Sequence, residues 1–353
     1  MKRTAVAVIL LLSLCMTGCS SIFDGSYLSV EPHQAPALRE PVKNPTATNY
    51  SQLYKALIAL IENGTTESVI TVSNYSKAML DEDMRLAVDT ALSEHPIAAY
   101  AVEDVTYERG KSGGREALAV KIRYLHDRSE IKKIKQAKNM DEAHNILAKA
   151  LNQCEPGLVL RINSYRDTDF IQAVENYCFD NPQLVMETPQ VSVNCYPETG
   201  VERVVELRFT YQTSRDSLKA MQEQVQAVFT SASLYVSAEA ATLEKYTQLY
   251  SFLTERYDYK LETSITPTYS LLHHGVGDSR AFSTVYGAMC RQVELECLVV
   301  SGTRHGESRY WNIVQVDGIY YHVDLLAGEF RLRTDAQMSG YVWDYSAYPP
   351  CGN

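Results

Sequence analysis

The chain has 353 residues, a formal net charge of −10 at pH 7 and a sequence pI near 5.4. A surface that binds nucleic acid has to be basic to neutralise phosphates, so this acidic balance argues against a nucleic-acid partner. Because single hydrophobic cores stop growing near about 250 residues, the length predicts two or three domains.

The first residues, MKRTAVAVILLLSLCMTGCSS, combine two basic residues, a short apolar run and a small residue before a cysteine. This pattern is typical of a secretory signal peptide, since the apolar run is too short for a permanent membrane span. Gly18 followed by Cys19 matches a bacterial lipobox, in which the cysteine receives the lipid. We therefore expect a signal peptide over 1–18 and a lipid anchor on Cys19, which holds the protein on the extracytoplasmic face of the cell membrane. The alternative is an ordinary cleaved signal with an incidental cysteine.

Residues 19–46 follow as the lipidated cysteine and a tether. Four prolines lie among polar residues with no sustained periodicity, which favours an extended segment.

Six further cysteines show no metal-ligand spacing such as C-x-x-C, so we expect neither a metal nor a cofactor. Buried free thiols are favoured over any particular disulfide. These cysteines are Cys154, Cys178, Cys195, Cys290, Cys297 and Cys351.

An internal repeat occupies the next 180 residues or so. AVDTALSEHPIAAYAVEDVTYE, from Ala87, aligns with AVENYCFDNPQLVMETPQVSVN, from Ala173, at an offset of 86 residues. YLHDRSEI at Tyr124 then aligns with YQTSRDSL at Tyr211, at an offset of 87. Because the offset barely changes, the two blocks are predicted to be copies of one supersecondary unit.

Periodicity predicts the elements of each copy. Two apolar helical faces flank the short strand SVITVS, and two strands joined by a turn-rich segment follow. The unit is therefore α-β-α-β-β, once over 47–137 and once over 138–225. The copies share no charged or nucleophilic constellation, which favours a structural or binding role. Lys132, Lys133 and Lys135 are expected on a solvated helix face.

The last part, 238–350, carries five motifs in a fixed order. They are a helix ending in YDY, a G-V-x-x-x-x-A helix start, a C-L-V-V-S-G-T strand, G-E-S-x-x-W-N-I-V and Y-Y-H-V-D. Together they resemble the transglutaminase-like superfamily of papain-type cysteine enzymes, in its bacterial exported lipoprotein branch. The resemblance implies an α+β domain with an antiparallel sheet. The fold class expected for the chain is α+β, with two repeats followed by this domain.

The resemblance also locates a catalytic triad. In active members the third residue of the G-V motif is the nucleophilic Cys, the residue two before the Trp is the His, and the last residue of H-V-D is the Asp. These positions fall on Gly277, Arg309 and Asp324. Glycine offers no nucleophile, and arginine stays protonated and cannot act as a base. The resemblance therefore implies a degenerate triad and no catalytic residue.

A hairpin is predicted independently of the family. Asp-Gly at 317–318 between two alternating runs favours a two-residue turn that pairs Val316 with Ile319. Arg309 then becomes a diagonal neighbour of Asp324 on the same face of the sheet. We expect an ion pair between them where a His–Asp pair stands in active enzymes.

Displaced catalytic residues are the alternative to a dead triad. Asp278 or Ser279 is expected to cap the following helix, and Cys290 to lie inertly in the core. His322 is expected to pack against Tyr320 or Trp311. His305 lies in a Gly-flanked loop with no fixed partner, and His273 and His274 show no ligand spacing with a carboxylate. The residues expected in the cleft are Asp278, Ser279 and Trp311.

Three functions fit these features. The favoured one is a lipid-anchored protein whose inactive transglutaminase-like domain binds a peptide or cell-wall ligand, because Trp311 and Asn312 keep the framework of the old cleft. The second is a working amidase, peptidase or cross-linking enzyme that uses displaced residues. The third is a purely structural interaction module in which the repeats carry the contacts.

Overall fold

The computed structural model describes residues 45–261 and 264–352. The predicted signal peptide, Cys19 and the tether up to residue 44 lie outside this range. The chain is mixed α+β with largely antiparallel sheets, as the sequence predicts. Within the described ranges, no helix has the length and apolar character needed to cross a membrane.

The first segment builds a four-stranded sheet covered by helices. Its strand order is β1-β2-β4-β3, in which β1 runs parallel to β2 and the other pairs are antiparallel. The predicted apolar face of α1 is buried against this sheet. The elements are β1 (Thr46–Ala47), α1 (Tyr50–Glu62), β2 (Glu67–Val72), α2 (Leu80–Glu94), α3 (Pro96–Ala101), β3 (Val102–Ser112), β4 (Arg115–Tyr124) and the short α4 (Arg128–Ile131).

The second segment builds a sheet with the corresponding order, β5-β6-β8-β7, and with the same strand directions. Its helices bury their apolar faces in a core of their own. The elements are β5 (Lys135–Ala137), α5 (Met140–Asn152), β6 (Gly157–Ile162), α6 (Phe170–Asp180), β7 (Gln190–Tyr196) and β8 (Arg203–Thr210).

The two segments differ from the predicted unit in two respects. Each begins with a short additional strand, which gives the order β-α-β-α-β-β in the second segment, and the first segment also inserts the short α3 before β3. α1 and α5 begin 90 residues apart, whereas β4 and β8 begin 88 apart. The two-residue difference arises between the start of α2 and the start of β3, where the first segment has a helix of 15 residues followed by α3 and the second has a helix of 11 residues. The origin of both segments from one duplicated unit stays a prediction.

Three predicted positions need correction. β5 pairs with the second sheet, although the boundary at 137 assigns it to the first copy. The boundary at 225 falls inside α7 (Arg215–Tyr235), whose buried residues join the core of the third segment. α4 ends at Ile131, so the lysines from 132 to 135 lie in a turn and at the start of β5, not on a helix.

The third segment packs a central helix against an antiparallel sheet of order β13-β12-β11-β14. α8 and α10 share one core with one face of this sheet, and aromatic residues cover the other face. The elements are α8 (Thr242–Thr254), β9 (Asp258–Tyr259), α9 (Pro267–Tyr269), a π-helical turn (Ser270–His274), β10 (Val276–Gly277), α10 (Ser279–Gln292), β11 (Cys297–Arg304), β12 (Glu307–Val316), β13 (Ile319–Val323), a 3-10 turn (Asp335–Gln337), β14 (Tyr341–Trp343) and a second 3-10 turn (Tyr345–Ala347).

The predicted hairpin between β12 and β13 is confirmed. Asp317 and Gly318 have φ values of 52° and 81°, the left-handed conformations that a two-residue turn of this kind requires. Val316 pairs with Ile319, and the pairing continues to Asn312 and Val323. Since β13 ends there, the edge of β12 beyond Asn312 is open to other partners.

Candidate functional site

The ion pair predicted between Arg309 and Asp324 is present. The Arg309 Nη2 atom lies 2.8 Å from both carboxylate oxygens of Asp324, and Nε donates to Oδ2 at 3.0 Å. The two residues are 8% and 2% exposed. A planar guanidinium bound by two parallel hydrogen bonds in a buried site is held in one orientation.

Asp324 accepts two further hydrogen bonds. The Leu326 backbone N–H donates to Oδ1 at 2.9 Å, and the Tyr341 hydroxyl donates to Oδ2 at 2.6 Å. Burial and the bond to Asp324 raise the pKa of Tyr341 to about 12, so its proton stays on the hydroxyl. The carboxylate therefore has its partners without an imidazole.

The start of α10 is capped as predicted. The Asp278 side chain accepts a hydrogen bond from the Ala281 N–H at 2.8 Å, which makes Asp278 the N-cap and Ser279 the first helical residue. The Ser279 hydroxyl oxygen accepts a hydrogen bond from the Tyr310 N–H at 3.2 Å. Ser279 thus meets β12 on the edge that β13 leaves open, next to Arg309.

Gly277 lies two residues before Ser279, outside α10. It is a buried residue of β10, one position before the N-cap. A Cβ atom built on Gly277 would lie 3.1 Å from the Ala281 Cβ and 3.1 Å from the Leu271 Cδ1, both tighter than ordinary contacts. A side chain there would press on these two apolar groups, and Gly277 also borders a cavity that it shares with Asp278 and Arg280. The residue seen to form a hydrogen bond with the strand that carries Arg309 is Ser279.

Two further predicted framework residues lie on opposite faces of β12. Asn312 donates from Nδ2 to the Ser283 carbonyl at 2.9 Å and so joins β12 to α10. Trp311 is fully buried on the other face and donates from Nε1 to the Nδ1 atom of His322 at 3.0 Å. The prediction that His322 packs against Trp311 is confirmed.

His322 has partners at both ring nitrogens. Because Nδ1 accepts from Trp311, Nε2 carries the proton and donates to the Asp335 Oδ1 at 2.9 Å. Burial lowers the pKa of His322, so the neutral ring is favoured. This imidazole is fixed in place and has no nitrogen free to accept a proton from Ser279.

His322, Asp335 and Cys351 place one potential ligand atom each within 4.8 Å of one another. They do not suit a metal ion. A metal on Nε2 would move the imidazole proton to Nδ1, where it would face the Trp311 N–H donor. Burial also raises the pKa of Cys351 to about 12, which disfavours the thiolate that a metal needs.

The remaining displaced candidates do not converge on Ser279. Burial raises the pKa of the fully buried Cys290 well above its ordinary value, as expected for a core thiol. The His273 ring stacks on the Tyr269 ring at 4.6 Å between centroids. The backbone N–H of His305 donates to the Gly340 carbonyl. Over residues 45–261 and 264–352, no imidazole forms a hydrogen bond with the Ser279 hydroxyl.

Two adjoining cavities lie beside the start of α10. One of about 210 Å³ is lined by Gly277, Asp278 and Arg280, and one of about 250 Å³ extends from Arg280 towards α6 and Glu187. The Arg280 guanidinium lies 5.4 Å from the ring centroid of Phe179 and 6.0 Å from that of Tyr310. Cation–π contacts of this kind link α6 to the start of α10.

Sequence reasoning missed several of these residues. Phe179 and Glu187 belong to the second segment, and no local pattern indicates that it borders the cleft. Glu187 is 4% exposed and accepts hydrogen bonds from the backbone N–H groups of Gln212 and Thr213. Tyr341 follows the last motif by 17 residues, and only the pairing of β14 with β11 brings it to Asp324.

Comparison with protein families agrees with this architecture. The model of the transglutaminase-like superfamily matches residues 230–343. This segment is a transglutaminase-like domain. The match begins within α7, in keeping with the burial of that helix in the core of the third segment.

Among solved structures, the chain is similar to three proteins at low identity. A TGase shares 12% identity with a TM-score of 0.28, over 58% of this chain and 62% of that protein. A candidate cysteine protease from Cytophaga hutchinsonii shares 11% with a TM-score of 0.28, over 44% and 65%. A candidate protease from Parabacteroides distasonis shares 9% with a TM-score of 0.24, over 72% and 39%.

In each case the chain covers less than two thirds of the other protein's length. TM-scores of this size carry no argument about mechanism. Comparison with curated proteins found no match.

Proposed function

We propose that the transglutaminase-like domain is catalytically inactive and binds a peptide or another cell-envelope ligand. The observation that carries this proposal is the buried Arg309–Asp324 pair. A guanidinium keeps its proton at any physiological pH, so it cannot take one from a nucleophile. In an active triad the aspartate orients the base. Here Asp324 instead neutralises the permanent positive charge of Arg309.

In this proposal Ser279, not Gly277, occupies the nucleophile position. A nucleophile at a helix start benefits from the backbone N–H groups of the first turn, and Ser279 is the first residue of α10. It also lies against the strand of Arg309, through its bond with Tyr310. A serine hydroxyl needs an adjacent base before it can attack a carbonyl, and Arg309 does not supply one.

The binding role is supported by the cavities at the start of α10. They combine a carboxylate, a guanidinium and an aromatic ring, namely Asp278, Arg280 and Phe179. Such a mixture suits a ligand with both polar and apolar groups, of which an extended peptide is the simplest.

Lipid anchoring on the extracytoplasmic face is part of the proposal, supported by the Gly18-Cys19 junction. Metabolic labelling with a fatty-acid analogue tests it. Labelling is expected in the wild type and lost in Cys19→Ala. An exported protein without label would rule out the lipid, and unchanged labelling in the variant would rule out the site.

A working amidase is the second candidate, and the position of Ser279 is the observation that favours it. It would require a base that is not among the hydrogen-bond partners seen at Ser279. Hydrolysis of peptide amides by the wild type, abolished in Ser279→Ala, would establish this candidate and overturn the first.

Rebuilding the missing chemistry tests the inactive site directly. Ser279→Cys with Arg309→His is expected to give a thiol that reacts with iodoacetamide and has a pKa well below about 8.5. Ser279→Cys alone is the matched control and is expected to react more slowly, because Asp324 still holds Arg309. Both are compared with the wild type, whose native cysteines set the background. Equal reactivity of the two variants would show that Arg309 does not occupy the histidine position.

A further inference from the structure

A groove lined by lysines lies between the second sheet and the turn before it. Its volume is about 870 Å³, and its rim carries Lys132, Lys133, Lys135 and Lys149. All four side chains are exposed, in a chain whose net charge is −10. The groove has no lining residue in common with the cavities at the start of α10. It is therefore separate from the cleft of the transglutaminase-like domain.

The positive charge of the rim is only partly balanced within the protein, since Asp127, a carboxylate that is not itself on the groove, lies within electrostatic range of Lys133. Glu206 lies 2.9 Å from Arg208, and Glu155 lies 2.8 Å from Arg215, so both acids on the groove have other partners. In the part of the chain that the structure describes, none of the four lysine ammonium groups forms an ion pair or hydrogen bond. Four ammonium groups around one groove repel each other, and an anion would relieve that repulsion.

The floor of the groove is apolar. It is formed by Ile134, Ile146, Leu158 and Leu207. β6 pairs with β8 along one edge, and on its other edge β5 covers only Leu160 to Ile162. An extended peptide could therefore pair only with the short edge at residues 157–159, and its other amide groups would lie on the apolar floor without partners, which is unfavourable away from water. An acyl chain has no such groups. The aliphatic parts of the lysine side chains add apolar surface beside the floor, while their ammonium groups stay in water.

We propose that this groove binds a single-chain anionic lipid, with a phosphate head group among the lysines and the acyl chain on the apolar floor. The number of cations favours phosphate over carboxylate, because a phosphate monoester carries nearly two negative charges at pH 7. The volume suits one small ligand, since such sites span roughly 300–1,000 Å³.

Titration of the full mature chain carrying Cys19→Ser with 1-oleoyl lysophosphatidic acid, below its micelle concentration, tests the proposal. We expect one molecule per chain by calorimetry. Lys133→Ala with Lys135→Ala is expected to weaken binding at least tenfold. The matched control, Lys111→Ala with Lys121→Ala, removes two exposed lysines of the first sheet and should bind as the wild type does.

Oleate, inorganic phosphate and a glutamate-rich peptide serve as competitors that separate the parts of the ligand. Oleate and inorganic phosphate are each expected to bind at least tenfold more weakly than the lipid, because each lacks either the head group or the chain. Ile146→Asp changes a half-buried position of the floor and leaves the lysines intact. It is expected to weaken lipid binding by a similar factor. Lys149→Glu provides a second rim variant if the double alanine variant does not fold. Equal binding by the rim variants, equal binding of oleate, or tighter binding of a glutamate-rich peptide would overturn the proposal.

Discussion

The Arg309–Asp324 pair and the Trp311–His322–Asp335 chain occupy the same aromatic face of the C-terminal sheet. In the first, a cation with a permanent charge lies against a buried carboxylate. In the second, a neutral imidazole lies between an indole donor and a carboxylate. Each group has its hydrogen-bond partners, yet only the imidazole can change its charge, and burial lowers its pKa below the ordinary value.

The difference bears on the proposed inactivity, because suitable residue types transfer a proton only when they contact each other. The domain contains a buried imidazole, a buried carboxylate and a hydroxyl at a helix start. Both ring nitrogens of His322 form hydrogen bonds with Trp311 and Asp335, not with Ser279. The carboxylate of Asp324 is bound to Arg309. Proton transfer needs a base within hydrogen-bond reach of the nucleophile, and the packing of this sheet separates the two.

The largest expected effect comes from removing the charge of Asp324. Asp324→Asn leaves the Arg309 guanidinium buried without a counter-ion, and the free energy of unfolding should fall by about 3–5 kcal/mol. Urea denaturation followed by circular dichroism measures the loss. Arg309→Met together with Asp324→Asn is the control and should recover part of it. A loss below about 1 kcal/mol would mean that water or other groups replace the carboxylate.

A smaller loss is expected from Tyr341→Phe. The variant removes only the hydroxyl that donates to Asp324, and a hydrogen bond to a charged group contributes about 1.5–3 kcal/mol. The same denaturation experiment measures it. Tyr345→Phe, an exposed ring on the same face, is the matched control and should change little. Equal effects of the two variants would argue that Asp324 does not depend on Tyr341.

The position of the nucleophile can be tested with two single cysteines in an Arg309→His background. Ser279→Cys should give the reactive thiol. Gly277→Cys should react more slowly and be less stable, because its Cβ would crowd Leu271 and Ala281. Alkylation rates as a function of pH distinguish them. A lower thiol pKa in Gly277→Cys than in Ser279→Cys would restore the assignment made from the motif alone.

The smallest expected effect is the pH response of His322. Its folded pKa lies below the value of about 6.5 expected in the unfolded chain, chiefly because the ring is buried. Below pH 6.5 the unfolded chain therefore binds more protons, and stability falls as the pH decreases through that window. Protonation would also turn Nδ1 into a donor facing the Trp311 N–H.

Tryptophan fluorescence measures this response, because Trp311 and Trp343 are the two tryptophans of the sequence and both rings lie near His322. We expect the emission to change as the pH falls below 6.5. Burial also lowers the pKa of His95, so His95→Gln is the control that removes this second titration without touching the tryptophans. If the emission change disappears in His95→Gln, it arises from His95 and not from His322.

Local patterns predicted the part of the site that depends on neighbouring residues. The Asp-Gly turn at 317–318 determines the pairing of β12 with β13, and the alternation of side chains then places Arg309 beside Asp324. The Asp278 cap follows from the same kind of local hydrogen bond. These features need no information from distant parts of the chain.

Features that depend on distant contacts could not be predicted in the same way. β1 and β5 are two and three residues long and form only because a neighbouring strand pairs with them. The contact of Ser279 with Tyr310 depends on where β13 ends, which periodicity does not determine to within one residue. The alignment of motifs selects Gly277 and the contact with β12 selects Ser279, two residues later.

The strand β14 also determines the order in which the chain can complete its fold. Tyr341, Trp343 and Cys351 cover Trp311 and Val300 on the aromatic face. Both N-terminal sheets pair without these residues, so the two sheets can form before the end of the chain is in place. Trp311 stays uncovered until that end has packed. A chain truncated before residue 341 would therefore expose this tryptophan to proteases, whereas the full chain hides it.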